Sequence, residues 1–163
     1  MPYGDFITAT HDQAVQACGE PIEAALLVLR SPDTGGGGGL KRLFGGGKTL
    51  AAQVSSRNYL ALTPTHLRLF ALGGRTGLVP KEEIAAWPRG TVSITTEDVI
   101  RDSYWASTGN THQIPVHKLV ITGGPEQLTV DVMAADPDDA EVLGDEPARE
   151  IAHELDQILA AAP

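Results

Sequence analysis

A single cysteine, Cys18, leaves this chain of 163 residues unable to form an internal disulfide, which removes the disulfide-stapled secreted scaffolds from consideration. No stretch approaches the roughly 18 to 20 uninterrupted apolar residues that a membrane helix needs. The start, Met-Pro-Tyr-Gly-Asp, has neither the basic nor the apolar segment of a secretory signal. Positive charge is scarce as well: 12 Lys and Arg stand against 21 Asp and Glu, for a formal charge of −9 and a pI near 4.9. Such a balance argues against nucleic acid as a main partner, because phosphate binding rests on clustered cations and counterion release. These absences point to a soluble, cytoplasmic protein with one domain spanning residues 1–163, and they carry no signature of a particular oligomeric state. Apolar residues at 42% suffice for a core.

Reactive chemistry is also thinly represented. Gly47-Lys48-Thr49 resembles the end of a phosphate-binding loop, but that motif requires glycine at position 42, where Arg42 stands. Five histidines are present; His112 and His117 are five apart, a spacing that sends side chains to opposite faces of a strand, and His153 falls on the polar side of a helix. The sequence therefore predicts no metal site and no cofactor. Cys18 has no sequence-adjacent base and no nucleophile-elbow motif occurs, while Glu82-Glu83 and Asp138-Asp139 read as solvated neighbouring acids. An enzyme of unknown reaction is the weakest of three functional readings.

What is present is a series of short strand patterns. Thr8 to Cys18 reads as a short helix opened by Thr10 or Asp12 and closed by Gly19. Glu23 to Arg30 is an apolar run of strand length between Pro21 and Ser31-Pro32. In Asn58 to Leu72 a turn centred on Pro64-Thr65 sets Leu62 opposite Leu67 and Leu60 opposite Leu69, so one face is leucine. The other face holds Tyr59, Ala61, Thr63, His66, Arg68 and Phe70, as expected of a half-buried hairpin whose two-residue turn favours a register bulge. Short strands follow at Leu78-Val79, Ile84 to Trp87 and Thr91 to Thr96; residues 97–113 read as a long polar connection; Val116 to Thr122 and Gln127 to Met133 complete about seven antiparallel strands. After the acidic stretch Asp136 to Glu146 comes a helix with Pro147 in its first turn, Asp145 or Glu146 as cap, and Ile151, Leu155, Ile158 and Leu159 as one stripe. Strands first and one amphipathic helix last predict a mainly β (α+β) open barrel closed by that helix.

Three of these features resemble the bacterial pleckstrin-homology-like superfamily, which includes GRAM-type domains. They are the hairpin Leu60 to Phe70, similar to that family's second and third strands; Leu78-Val79-Pro80-Lys81-Glu82-Glu83-Ile84, similar to its isoleucine-proline-x-x-x-isoleucine stretch; and the single C-terminal helix. The resemblance covers about Pro21 to Ala161 and implies a PH-like barrel that acts by binding. It rests on core and turn patterns and includes no catalytic signature.

Charge is distributed unevenly. Residues 30–57 carry five basic residues against Asp33, a net of +4, whereas residues 136–156 carry nine acids against Arg149, a net of −8. Within the first lies a glycine-rich stretch, expected to be a flexible loop at 33–48. In phosphoinositide-binding relatives the basic residues of the connection between the first two strands hold the headgroup. The resemblance thus makes Lys41, Arg42, Lys48 and Arg57 candidate contacts to an anionic membrane, with Leu40, Leu43 and Phe44 able to enter its surface. At about 1 kcal/mol per basic residue that attraction is weak and salt-sensitive, and a glycine loop kept soluble by its charges explains the same residues. The leading expectation is a non-catalytic module that binds a protein partner through a sheet edge or the 97–113 connection, where the adjacent aromatics Tyr104 and Trp105 are candidate anchors.

Overall fold

The computed structural model describes residues 3–31, 57–74, 79–102, 113–123, 127–133 and 145–162. Helix α1 (Tyr3–Cys18) leads into β1 (Ala24–Arg30), β2 (Arg57–Leu62), β3 (His66–Gly73), β4 (Val79–Pro88), β5 (Ser93–Asp102), β6 (Gln113–Thr122) and β7 (Leu128–Met133), and helix α2 (Asp145–Ala161) follows. All seven strands form one antiparallel sheet in the order β4-β3-β2-β1-β7-β6-β5. This is the mainly β architecture with two helices that the periodicity predicts.

The leucine-faced hairpin has the predicted pairing, with Leu62 opposite Leu67 and Leu60 opposite Leu69. No bulge interrupts it. The Thr63 amide donates to the His66 carbonyl at 2.9 Å, and the His66 amide donates to Thr63 Oγ1 at 3.1 Å, so the threonine braces both sides of the Pro64-Thr65 turn. The irregularity lies one strand further on. Between β3 and β4 the register shifts twice, around Phe70, and β4 carries the extra residues. The sequence divides this region into strands at Leu78-Val79 and Ile84 to Trp87; from Val79 onward it is this one bulged strand, and Leu78 lies outside the described residues.

The sheet cannot be flat. Seven strands laid side by side separate their outermost members by six spacings, about 29 Å. Yet β4 ends at Pro88 and β5 begins at Ser93, and five chain steps reach at most about 18 Å. The order must therefore curl until its two ends approach, although β4 and β5 do not pair.

Curling creates an inner face. Leu26, Leu60, Leu67, Leu69, Trp87, Val92, Leu119, Ile121, Leu128 and Val130 fill it together with Ile151, Leu155 and Ile158 of α2. Burial of those three helix side chains contributes about 1.5 to 3 kcal/mol each, gross. Strands β1 and β7 pair only at Leu29 opposite Asp131 and Arg30 opposite Val130, so the rest of that β1 edge is not bonded to β7. There Glu154 of α2 accepts a hydrogen bond from the Ala25 amide at 2.9 Å, tying the helix to the gap.

The outer face departs from expectation. Tyr59, Ala61 and Phe70 are buried, packed with Ala25, Leu72 and Ala14 of α1. Helix α1 begins at Tyr3, earlier than Thr8, and its buried Thr10 and Ala14 are four residues apart on one stripe. Gly19 ends it in a left-handed turn at φ 67°, its amide donating to the Val15 carbonyl at 2.9 Å. The first three strands are thus covered on both sides. A second correction concerns residues 97–113: Glu97 to Asp102 continue β5 and Gln113 opens β6, in unbroken register from Ser93 opposite Thr122 to Asp102 opposite Gln113. No helix among the described residues is long and apolar enough to cross a membrane.

Candidate functional site

Two polar constellations emerge from this frame. The first joins the end of α1 to the outer side of β3 and β4. Arg68 projects from β3, donating to Glu83 on β4 at 2.7 Å and to Glu20, just past the Gly19 stop, at 2.9 Å. Thr65 donates its hydroxyl proton to Glu20 at 2.6 Å, and its oxygen lies 2.7 Å from His66 Nδ1. A hydroxyl has one proton, so His66 must be the donor in the second contact, which fixes the proton on Nδ1.

Charges here are committed to each other. Burial opposes the Arg68 charge, but the hydrogen bonds to Glu83 and Glu20 outweigh it and lift the guanidinium above its ordinary value. Burial likewise pushes the Cys18 thiol up, although nearby Arg68 pulls the other way, so the thiol stays protonated at neutral pH and is a poor nucleophile. Hydrogen bonds from Thr65 and then Arg68 hold the Glu20 carboxyl below the usual glutamate range. A depressed carboxylate stabilises the fold fully above its unfolded value of about 4.3 and loses that contribution as pH falls through the lower folded value. Glu20→Gln, which abolishes the titration, is expected to lose stability less steeply than the parent below about pH 4.3, as read by urea midpoints across pH. Parallel curves for the two proteins would show that this carboxylate contributes no linkage.

The second constellation lies on β5 and β6 at the other end of the sheet order. Asp98 accepts from His117 Nδ1 at 2.7 Å when the ring carries its proton there, and Glu97 lies 3.8 Å from the Lys118 ammonium. Beyond Val116, whose partner Met133 is the last residue of β7, β5 and β6 continue as a two-stranded arm. On it Ile100 is opposite Pro115 and is 67% exposed, the one large hydrophobic so exposed among the described residues.

Of the residues singled out from sequence, Arg57 is the half-buried first residue of β2, opposite Leu29. Lys41, Arg42 and Lys48, with the glycine-rich stretch 33–48, lie outside the described residues, as do Tyr104 and Trp105. His153 is exposed on α2, its ring within 2.7 Å of Gln157. Among the described residues no group of three His, Cys, Asp or Glu side chains is placed to hold a metal ion. Sequence reading ended β5 at Thr96 and overlooked its continuation into the arm, although the β-branched Val99 and Ile100 after Glu97-Asp98 are a strand signal. It also overlooked the Arg68 network, whose partners Glu20 and Glu83 are 48 and 15 residues away. No protein-family model matches this chain, and no curated protein or solved structure is significantly similar to it.

Proposed function

We propose that the chain is a non-catalytic binding module of the pleckstrin-homology-like type, engaging another protein through the open edge at β5 and the connection that follows it. A meander of seven antiparallel strands, curled by its short β4–β5 link and filled by a C-terminal helix, supports the PH-like assignment. Arg68, Glu20 and Glu83 neutralise one another in a structural ion-pair network, which supports binding over catalysis.

The observation that carries the reading is a contrast between the two edges. Strand β4 is blunted by Pro80, Pro88 and two register shifts, which are among the usual devices against unwanted pairing. Strand β5 has no proline and no shift over ten paired positions, and among the described residues nothing pairs with its outer side. A β-branched edge uninterrupted by proline or bulge suits strand addition by a partner.

Arg30 and Arg57, at adjoining ends of β1 and β2, lie at the base of the segment bearing Lys41, Arg42 and Lys48 and support anionic-membrane binding as the second reading. One experiment separates the two. A photo-crosslinking residue at Thr95 in β5, and as control at the exposed Ala86 in β4, is activated in cells in which the protein is native, and vesicle co-sedimentation is measured in parallel. Protein adducts from position 95 exceeding those from 86 are expected. Absence of adducts, together with pelleting on anionic vesicles that vanishes in Lys41→Ala, Arg42→Ala, Lys48→Ala, would replace protein by lipid as the partner.

A further inference from the structure

We propose that the partner taken by β5 is an extended, basic segment that adds to the sheet as an eighth strand, a proposal that rests on the binding reading above and specifies its chemistry. Strand pairing supplies main-chain hydrogen bonds common to any peptide, so selectivity has to come from side chains flanking the new strand on the two faces. On β5 these are alternately Ile94, Thr96, Asp98 and Ile100 on one face and Thr95, Glu97 and Val99 on the other. Glu97 is 67% and Asp98 87% exposed even with Lys118 and His117 beside them on β6, so each carboxylate is open on the side away from its neighbour strand. Two adjacent acids, one per face, call for two adjacent cations on the incoming strand. Ile100, exposed on the arm, calls for an apolar residue further along the incoming strand.

Charge also selects among occupants. A second copy of this chain would bring another −9 against the first, and β5 itself carries Glu97, Asp98 and Asp102 against Arg101. Opposite charges directly across a strand pair stabilise it and like charges oppose it. A basic partner segment gains from the field that a self-pair would have to overcome.

The probe is an acetylated and amidated octapeptide reading threonine, isoleucine, threonine, lysine, lysine, threonine, isoleucine, threonine. Its sequence is the same in both directions, so either strand orientation sets the lysines against Glu97 and Asp98. Titrated into the full chain at low salt and followed by amide chemical shifts, it is expected to bind saturably, with shifts and slowed hydrogen exchange concentrated on β5. Affinity is expected to fall about tenfold or more with glutamates in place of the lysines, with Glu97→Thr plus Asp98→Thr in the protein, and with a probe N-methylated at the alternate amides that would donate to β5. Undiminished binding of that probe and of its counterpart methylated at the other alternate amides would overturn strand addition, because only charge attraction survives that change. Preference for the glutamate probe at β5 would overturn the basic chemistry while leaving an interaction edge in place. Protection of β5 amides by self-association alone would make the occupant a second copy and overturn the proposal. No peptide binding, combined with pelleting on anionic vesicles, would remove this proposal and the protein-binding reading together.

Discussion

Gly123→Ala is expected to lower stability by about 3 kcal/mol or more, in a residue that lies outside the core and touches no proposed partner. Gly123 follows β6 with φ 104°, a backbone state that strains any residue with a Cβ by about 1 to 3 kcal/mol. A methyl group there would also sit 2.1 Å from the Thr91 carbonyl oxygen and 2.9 Å from the Val92 Cα. Those atoms are backbone and cannot rotate away, so the clash adds overpacking of about 1 to 3 kcal/mol. They also belong to the short link between β4 and β5 that forces the sheet to curl, and Val92 is in the core. The glycine therefore guards the corner at which the two ends of the strand order approach. Gly90→Ala, in the same link but with no atom within 4 Å of the added Cβ, is the control and should change stability by less than about 0.5 kcal/mol. Urea unfolding with an unchanged m-value reads both; a loss below about 1 kcal/mol for Gly123→Ala would mean that the corner yields.

The particular residues explain which parts of this fold are legible without coordinates. Alternation of Leu60, Leu62, Leu67 and Leu69 about one proline turn fixes both the register and the inward face, because a slip of one residue would move every leucine off the face that α2 fills. The stripe Ile151, Leu155, Ile158 fixes the buried side of α2 in the same way, with Leu159 half-buried at its flank. Tyr59, Ala61 and Phe70 mislead, since a tyrosine and an alanine between polar neighbours look alike whether solvent or a helix lies above them. Only the tertiary placement of α1 decides between the two. Glu97 and Asp98 mislead in the opposite direction: two consecutive acids interrupt the pattern by which strands are recognised, yet an edge strand buries little and tolerates them on both faces. The Arg68 network depends on three segments meeting, which no local pattern encodes.

The claim that α2 and the leucine face share one interior has its own test. Ile158 is buried among strand side chains from both halves of the sheet, so it is expected that Ile158→Asp does not merely loosen the helix but abolishes the folded state. Losing the buried side chain removes about 1.5 to 3 kcal/mol. Placing a carboxylate among Leu, Ile and Val side chains with no cation in that cluster costs several kcal/mol more, even after relaxation. Their sum reaches the whole stability of an ordinary domain, about 5 to 15 kcal/mol. Ala152→Asp places the same charge on the exposed side of α2 and should stay within about 0.5 kcal/mol of the parent. Tryptophan emission is the discriminating measurement, because Trp87 is buried in the same cluster as Ile158 and moves to longer wavelength when that interior opens to water. If Ile158→Asp retained cooperative unfolding and parent-like emission, α2 would be a helix laid against a core complete without it, and the curled sheet would be filled by some other means. If instead emission shifts and the β5 amides lose protection together, the helix that seals the inner face also holds the β5 edge in shape, and both depend on the same three side chains, Ile151, Leu155 and Ile158.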